Sequence, residues 1–173
     1  ENDSVIAVNE LIIRDVLMVF IERILQTDRA AAPLTILSFE NLVGFPVTLR
    51  TDDGTLNLWV GGKIDRVDLK EGIIRIIDYK TGKISDSVSS PGALFEEDRD
   101  KELDGWLQTL LYCEAYLAEM PETVVTPAVY KLKKTPGNEL SEKLIFKDGL
   151  IVEDYLVVRQ EFLDYLMQTL EVI

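Results

Sequence analysis

Two short segments of the 173-residue chain combine carboxylates with a lysine at a spacing that suits metal-assisted hydrolysis. The first reads GKIDRVD over residues 62–68, and the second reads IIDYKTG over residues 76–82. Both segments have the composition of β-strands, in which successive side chains alternate between the two faces. Asp78 and Lys80 therefore project to one face, and Tyr79 projects to the other.

The spacing of the two segments predicts a hairpin that brings their acidic residues together. We expect strands over residues 56–69 and 73–80, joined by a turn at Glu71-Gly72. A two-residue turn pairs positions that sum to 143, which places Asp65 opposite Asp78 at a Cβ separation of roughly 4.5–5.5 Å. A three-residue turn would shift this pairing by one position, so the register is an assumption at this stage.

Two facing carboxylates repel each other unless a cation offsets their charge, and Mg²⁺ prefers oxygen ligands. Lys80 lies one pleat beyond Asp78, where it could orient a water molecule or hold a phosphate oxygen. This trio is a candidate centre for metal-assisted phosphodiester hydrolysis. The alternative is an ordinary polar face of an edge hairpin. The apolar run before Asp78 (IIRII, residues 73–77) favours a buried strand instead, where ionised groups are usually paired or metal-bound.

The two segments resemble the PD-(D/E)XK nuclease superfamily, in its RecB/AddB-like exonuclease branch. The resemblance extends from about Pro33 to the final helix. It rests on three motifs: G-x-I-D-R-x-D at residues 62–68, D-Y-K-T-G at residues 78–82, and Q-x-x-x-Y at residues 108–112. It implies a restriction-endonuclease-like core, with a central mixed β-sheet flanked by helices.

The resemblance also implies a role for each matching residue. Asp65 and Asp78 would bind Mg²⁺ or Mn²⁺ together with the backbone carbonyl of Tyr79, and Lys80 would be the catalytic lysine. The implied activity is exonucleolytic cleavage of DNA, coupled to a helicase or other module in DNA repair or recombination. The alternative function is a catalytically inert nuclease fold used for docking or structural support.

Three further residues are candidates with ordinary alternatives. Gln108 and Tyr112 match positions that contact substrate in the family, and their i, i+4 spacing places them on one helix face. Such a pair is also common on a helix that has no functional role. Glu40 resembles an acidic residue that the family places before the hairpin, which makes it a further candidate metal ligand. A solvated loop glutamate is the alternative.

The order of predicted elements is helix, strands, helix, strand, helix, which indicates an α/β or α+β sandwich. The helices are expected at residues 5–27, 100–120 and 153–172, the other strands at 46–50 and 124–133, turns at 52–54 and 136–138, and a loop at 84–99. We expect residues 1–173 to form a single PD-(D/E)XK nuclease-like domain. Because the first helix begins almost at residue 5, we also expect the chain to be a fragment of a larger protein.

The composition excludes several kinds of chemistry. The chain has no histidine, which excludes histidine-based triads and histidine zinc sites, and departs from relatives that carry a histidine on an earlier helix. Its one cysteine, Cys113, cannot hold an iron–sulfur cluster and fits a reducing cytoplasm. No uncharged apolar stretch approaches the length of a membrane helix.

The charge distribution bears on a DNA substrate. The net charge is −13, which argues against a general nucleic-acid binder. Residues 60–83 nevertheless contain six basic and four acidic side chains, so the candidate site is locally positive. We therefore expect the domain alone to bind DNA weakly and to depend on a metal ion and a partner module.

Overall fold

Four β-strands form one mixed sheet in the order β1-β2-β3-β4. The computed structural model describes residues 2–51, 54–133 and 142–172. The strands are β1 (Thr35–Thr51), β2 (Gly54–Lys70), β3 (Ile73–Lys80) and β4 (Val125–Lys131). The helices are α1 (Asn2–Ala31), α2 (Asp104–Glu119) and α3 (Leu156–Glu171). β1, β2 and β3 pair antiparallel and β4 pairs parallel with β3, which confirms the predicted α/β fold with a mixed sheet flanked by helices.

The turn between β2 and β3 has the two-residue form on which the predicted register depends. Glu71 and Gly72 both have positive φ, 52° and 84°, as a tight hairpin turn with the twist of the flanking strands requires. The pairs run from Lys70↔Ile73 to Arg66↔Ile77, and the numbers in each pair sum to 143. The register assumed from the sequence is therefore confirmed.

β1 is much longer than the strand predicted at residues 46–50. It pairs with β2 from Thr35↔Leu69 to Thr51↔Gly54, because β2 offers a partner along its whole length. β3 pairs only with the last five residues of β2, so the rest of the β1–β2 hairpin is a two-stranded extension. On this extension Trp59 is 71% exposed. Its ring lies over Gly44, where an added Cβ would clash with Trp59 Nε1.

α2 and α3 cover one face of the sheet, which we call the front face; it carries Ile74, Ile76, Asp78 and Lys80 of β3. The buried apolar residues of α2 recur at helical spacing and pack against this face: Trp106, Leu110, Cys113 and Leu117. The segment predicted as a loop at residues 84–99 also enters this core through a short 3₁₀ helix, Pro91–Leu94, whose last residue is fully buried.

α1 lies against the opposite face, the back face, which carries Arg75, Ile77 and Tyr79 of β3. Phe20 and Ile24 of α1 pack against a small apolar cluster that includes Ile77. Apolar side chains that are 44–61% exposed line the preceding turns of α1 and continue to Leu25: Leu11, Ile12, Ile13, Val16, Leu17, Met18, Val19, Ile21 and Leu25. The part of the chain that the structure describes contains no helix with the length and apolar character of a membrane span.

The turn predicted at residues 52–54 lies partly outside the described residues, and the turn predicted at residues 136–138 lies wholly outside them. All three predicted helices and β4 lie within a few residues of their predicted bounds, as expected where long periodic patterns define the elements.

Candidate active site

Asp78 is the most deeply buried acidic residue of the candidate site. It is 2% exposed on the front face of β3, and Lys80 Nζ donates a 3.0 Å hydrogen bond to its Oδ1. Lys80 Nζ also lies 2.8 Å from Asp78 Oδ2 as an ion pair, but Oδ2 accepts no hydrogen bond among the described residues. A buried carboxylate oxygen without a donor is unusual, because such atoms are nearly always satisfied.

The electrostatic environment of Asp78 disfavours its charged form. Burial raises the pKa of Asp78 above the usual value of an aspartate, and the nearby Asp65 raises it further, while Lys80 acts in the opposite direction. A divalent cation would offset the repulsion between these two carboxylates and would give Asp78 Oδ2 a further partner. The residues of the site therefore fit a bound metal ion.

Asp65 reaches β3 in a way that regular strand geometry does not predict. The β2–β3 pairing ends at Arg66↔Ile77, and the next position in register joins Asp65 to Asp78. Instead of forming a further ladder pair, Asp65 Oδ2 accepts a 2.8 Å hydrogen bond from the backbone N–H of Tyr79. Asp65 is thus tied to the residue that lies between Asp78 and Lys80.

The alternation of β2 shifts by one residue at Asp65. Ile64 and Val67 are both fully buried in the front-face core, although a regular strand would direct residues three apart to opposite faces. The neighbouring strand is irregular at the same level, because Glu40 of β1 has a positive φ of 54°. Asp65 therefore lies at a break in strand geometry, a feature that often redirects side chains near active sites.

Gln108 and Tyr112 extend the site from α2. Lys80 Nζ donates a 2.6 Å hydrogen bond to Gln108 Oε1, and Gln108 Nε2 donates a 2.7 Å hydrogen bond to the hydroxyl of Tyr112. Gly62 makes room for this tyrosine, since an added Cβ would lie 3.0 Å from Tyr112 Cε1. Gly105 similarly leaves space for Lys80, whose Cε would be 3.3 Å from a Cβ at that position.

Glu40, the further candidate ligand, lies on β1 and pairs with a lysine of β2. Its carboxylate forms an ion pair with Lys63, with both side chains more than half exposed, and this contact raises the pKa of Lys63. Within residues 2–51, 54–133 and 142–172 there is no group of three or more acidic, histidine or cysteine side chains placed to hold a metal ion. A metal site would therefore need backbone oxygens, water or substrate oxygens besides Asp65 and Asp78.

The sequence reasoning missed a second cluster of charges, on the back face. Arg66 and Asp68 belong to the same motif as Asp65, but they face α1 and form part of a network with Asp28, Arg75 and Glu142. Asp68 and Arg75 are directly paired between β2 and β3, so the predicted hairpin register could have revealed that contact. Asp28 gave no comparable signal, because it is 38 residues from Arg66 and reaches it only through the docking of α1.

Comparison with known families agrees with this architecture. The model of the PD-(D/E)XK nuclease superfamily matches residues 7–171, which is nearly the whole chain. The chain therefore belongs to the PD-(D/E)XK nuclease superfamily. Nucleases of this superfamily typically use divalent metal ions. Among curated proteins, no match to the chain was found.

Proposed function

We propose that this domain is a Mg²⁺- or Mn²⁺-dependent deoxyribonuclease. Asp65, Asp78 and the backbone carbonyl of Tyr79 would hold the metal ion, with Glu40 as a further candidate ligand from β1. The observation that supports the proposal is the buried Asp78 carboxylate, which lies beside a second carboxylate and whose Oδ2 has, among the described residues, the ion pair with Lys80 but no hydrogen-bond donor. When bound, the metal would supply Lewis-acid activation of a phosphodiester and of water.

Lys80 is the residue placed to act on water or phosphate. Its ammonium group has three N–H donors, and two of them are directed to Asp78 Oδ1 and Gln108 Oε1. These contacts fix the position of Nζ, where it would hold a phosphate oxygen or orient the attacking water. Gln108 and Tyr112 would contact the substrate next to this group.

We further propose that the domain acts as an exonuclease fed by a helicase or another module in DNA repair or recombination, in the cytoplasm. The support for this finer assignment is the resemblance to the RecB/AddB-like branch and the contrast in charge. A net charge of −13 disfavours tight DNA binding by the domain alone, while the candidate site is locally basic. A module that delivers the strand would compensate for this weak binding.

The proposal is tested by incubating linear single- and double-stranded DNA with the protein and Mn²⁺. The wild type is compared with Asp78→Ala and with Asp15→Ala, a control at a carboxylate that is 69% exposed on α1. We expect cleavage by the wild type and the control, and a loss of more than about 100-fold in Asp78→Ala, because a proposed metal ligand is removed. Equal activity in all three proteins would refute the proposal.

The second candidate function is an inert nuclease fold that serves for docking or support. It is favoured by the absence, among the described residues, of a third side chain that completes a metal site. Titration calorimetry with Mn²⁺ separates the two functions. Binding that disappears in Asp78→Ala supports the nuclease, and no heat of binding at millimolar Mn²⁺ supports the inert module.

A further inference from the structure

The back face directly behind the candidate site contains a buried charge network. We define this back-face network as Asp28, Arg66, Asp68, Arg75 and Glu142, with the hydroxyl groups of two tyrosines at its border. Arg66 is 1% exposed and Asp68 is fully buried. Burial alone would lower the pKa of Arg66, but hydrogen bonds to Asp28 and Tyr79 raise it above its usual value. The Arg66 guanidinium therefore remains charged.

Asp28 is the only member of the network that comes from α1, and it clamps Arg66. Both of its carboxylate oxygens accept hydrogen bonds from Arg66 Nη1, at 2.9 and 2.7 Å. Its Oδ1 also accepts a 3.2 Å hydrogen bond from the hydroxyl of Tyr130 on β4. One carboxylate on α1 thus ties together side chains from β2 and β4, the strands on either side of β3.

Arg66 carries this restraint to the residues of the front face by two routes. It follows Asp65 directly in the chain, so a fixed Arg66 side chain limits rotation of the backbone at Asp65. Its Nη1 also donates a 3.3 Å hydrogen bond to the hydroxyl of Tyr79, whose backbone N–H binds Asp65 Oδ2. Tyr79 is in turn held by an edge-to-face contact with Tyr130, with ring centroids 5.7 Å apart.

We propose that Asp28 is a positioning residue for the candidate active site, which it reaches through Arg66 and Tyr79. It fixes the break in β2 so that Asp65 stays beside Asp78 and the Tyr79 backbone. The inference rests on the proposed function in so far as those residues hold a metal ion. Without Asp28, Arg66 would keep its 2.6 Å ion pair with Asp68, which in turn pairs with Arg75 at 2.7 Å.

The first experiment measures the geometry of the site without any metal ion. Amide hydrogen exchange is followed by NMR in the wild type, in Asp28→Asn, which keeps the shape but removes the charge, and in Asp15→Asn as a control on the same helix. We expect exchange of the Tyr79 amide to rise about fivefold or more in Asp28→Asn, the effect of weakening one hydrogen bond. The Ile77 amide of the same strand should change much less, and the control should match the wild type.

A second variant distinguishes a positioning effect from a general loss of stability. Tyr79→Phe removes the hydroxyl that accepts from Arg66 and leaves Asp28, Arg66 and Asp68 in place. We expect the same selective rise in exchange at residue 79, although the ion pairs of the network are intact. The positioning role is refuted if Asp28→Asn and Tyr79→Phe raise the exchange rate of the amide at residue 79 by no more than they raise the rates of the other β3 amides.

The second experiment measures Mn²⁺ binding by calorimetry, at a temperature at which every variant is folded. We expect the dissociation constant to rise about tenfold in Asp28→Asn, as for other residues that orient metal ligands, and recovery of part of the loss in Asp28→Glu. Unchanged affinity in Asp28→Asn would overturn the inference. If the wild type itself binds no Mn²⁺, the proposed function fails, and the exchange experiment still decides whether Asp28 positions Asp65 and Tyr79.

Discussion

Asp78 on the front face and Asp68 on the back face are buried carboxylates of one short hairpin, 2% and 0% exposed, with opposite surroundings. Asp68 accepts three hydrogen bonds from two arginines, at 2.6, 2.7 and 2.8 Å. Asp78 accepts one from Lys80, and among the described residues its Oδ2 has no donor.

This difference separates a carboxylate that is satisfied within the fold from one that we propose to hold a metal ion. Removing a charge from water costs free energy, and a network that surrounds the charge with hydrogen-bond donors offsets that cost. Asp68 has such a network, which joins β2 to β3 and, through Arg66, to α1. Asp78 lacks it, and burial raises its pKa above the usual value of an aspartate. Perturbed groups of this kind cluster at functional sites, because a ligand supplies what the protein leaves out.

The largest expected difference concerns stability. Asp68→Asn leaves the buried Arg66 and Arg75 with one charged partner fewer, so we expect the free energy of unfolding to fall by about 3–5 kcal/mol. Urea denaturation measures this change, with the exposed Asp15→Asn as a control that should stay within about 0.5 kcal/mol of the wild type. A loss from Asp68→Asn no larger than that of the control would end the distinction between the two faces.

A smaller effect is expected at Gln108, which belongs to the front face alone. Gln108→Leu removes the acceptor of Lys80 Nζ and frees the Tyr112 hydroxyl, so DNA cleavage should fall about tenfold. The free energy of unfolding should change by less than about 1 kcal/mol, because the side chain is partly exposed. Gln160→Leu on α3, where the glutamine donates a hydrogen bond to the exposed Asp164, is the matched control. Cleavage at the wild-type rate by Gln108→Leu would contradict the assignment.

The fit between the hairpin and α2 can be tested with one methyl group. Gly62→Ala places a Cβ 3.0 Å from Tyr112 Cε1 and 3.1 Å from its hydroxyl, so the ring must shift by a few tenths of an ångström. We expect a several-fold loss of cleavage, smaller than the loss of about 10-fold or more that follows removal of a residue that orients a metal ligand. Gly82→Ala is the control, since a Cβ there meets nothing within 4 Å. Equal rates for both variants would show that the Tyr112 position is not critical.

The smallest effect is a dependence of stability on pH in the metal-free protein. Because the pKa of Asp78 is raised in the folded state, the folded protein binds a proton more tightly than the unfolded chain. Stability from this group is therefore present at low pH and declines as pH rises above about 4, the usual aspartate range. Asp78→Asn should flatten this decline in denaturation curves measured with a chelator. A decline of equal slope in the variant would assign it to other groups.

The sequence predicted those parts of the site that depend on local geometry. The two-residue turn at Glu71-Gly72 determined the register, and i, i+4 spacing placed Gln108 and Tyr112 on one helix face. The phase shift at Asp65 was not predicted, because we assumed regular alternation, although Ile64 and Val67 are both apolar and three residues apart. That spacing was the available signal.

The contribution of Asp28 could not be predicted from local patterns. Its contact with Arg66 depends on how α1 docks on the back face, which joins residues far apart in the chain. The length of β1 also depends on pairing with another element, since its first half pairs with β2 without a strong strand pattern of its own. In both cases a partner element, rather than the segment itself, determined the structure.

The two tryptophans give the domain an intrinsic optical probe of its site. Trp106 is fully buried two residues before Gln108, with its Nε1 donating a 3.0 Å hydrogen bond to the carbonyl of Ser85, whereas Trp59 is mostly exposed on the hairpin extension. The buried indole should emit at shorter wavelength and resist aqueous quenchers, while the exposed one should be quenched readily. Trp59→Phe would therefore leave one fluorophore that reports on α2, and the arrival of a metal ion or a DNA strand could be followed without a chemical label.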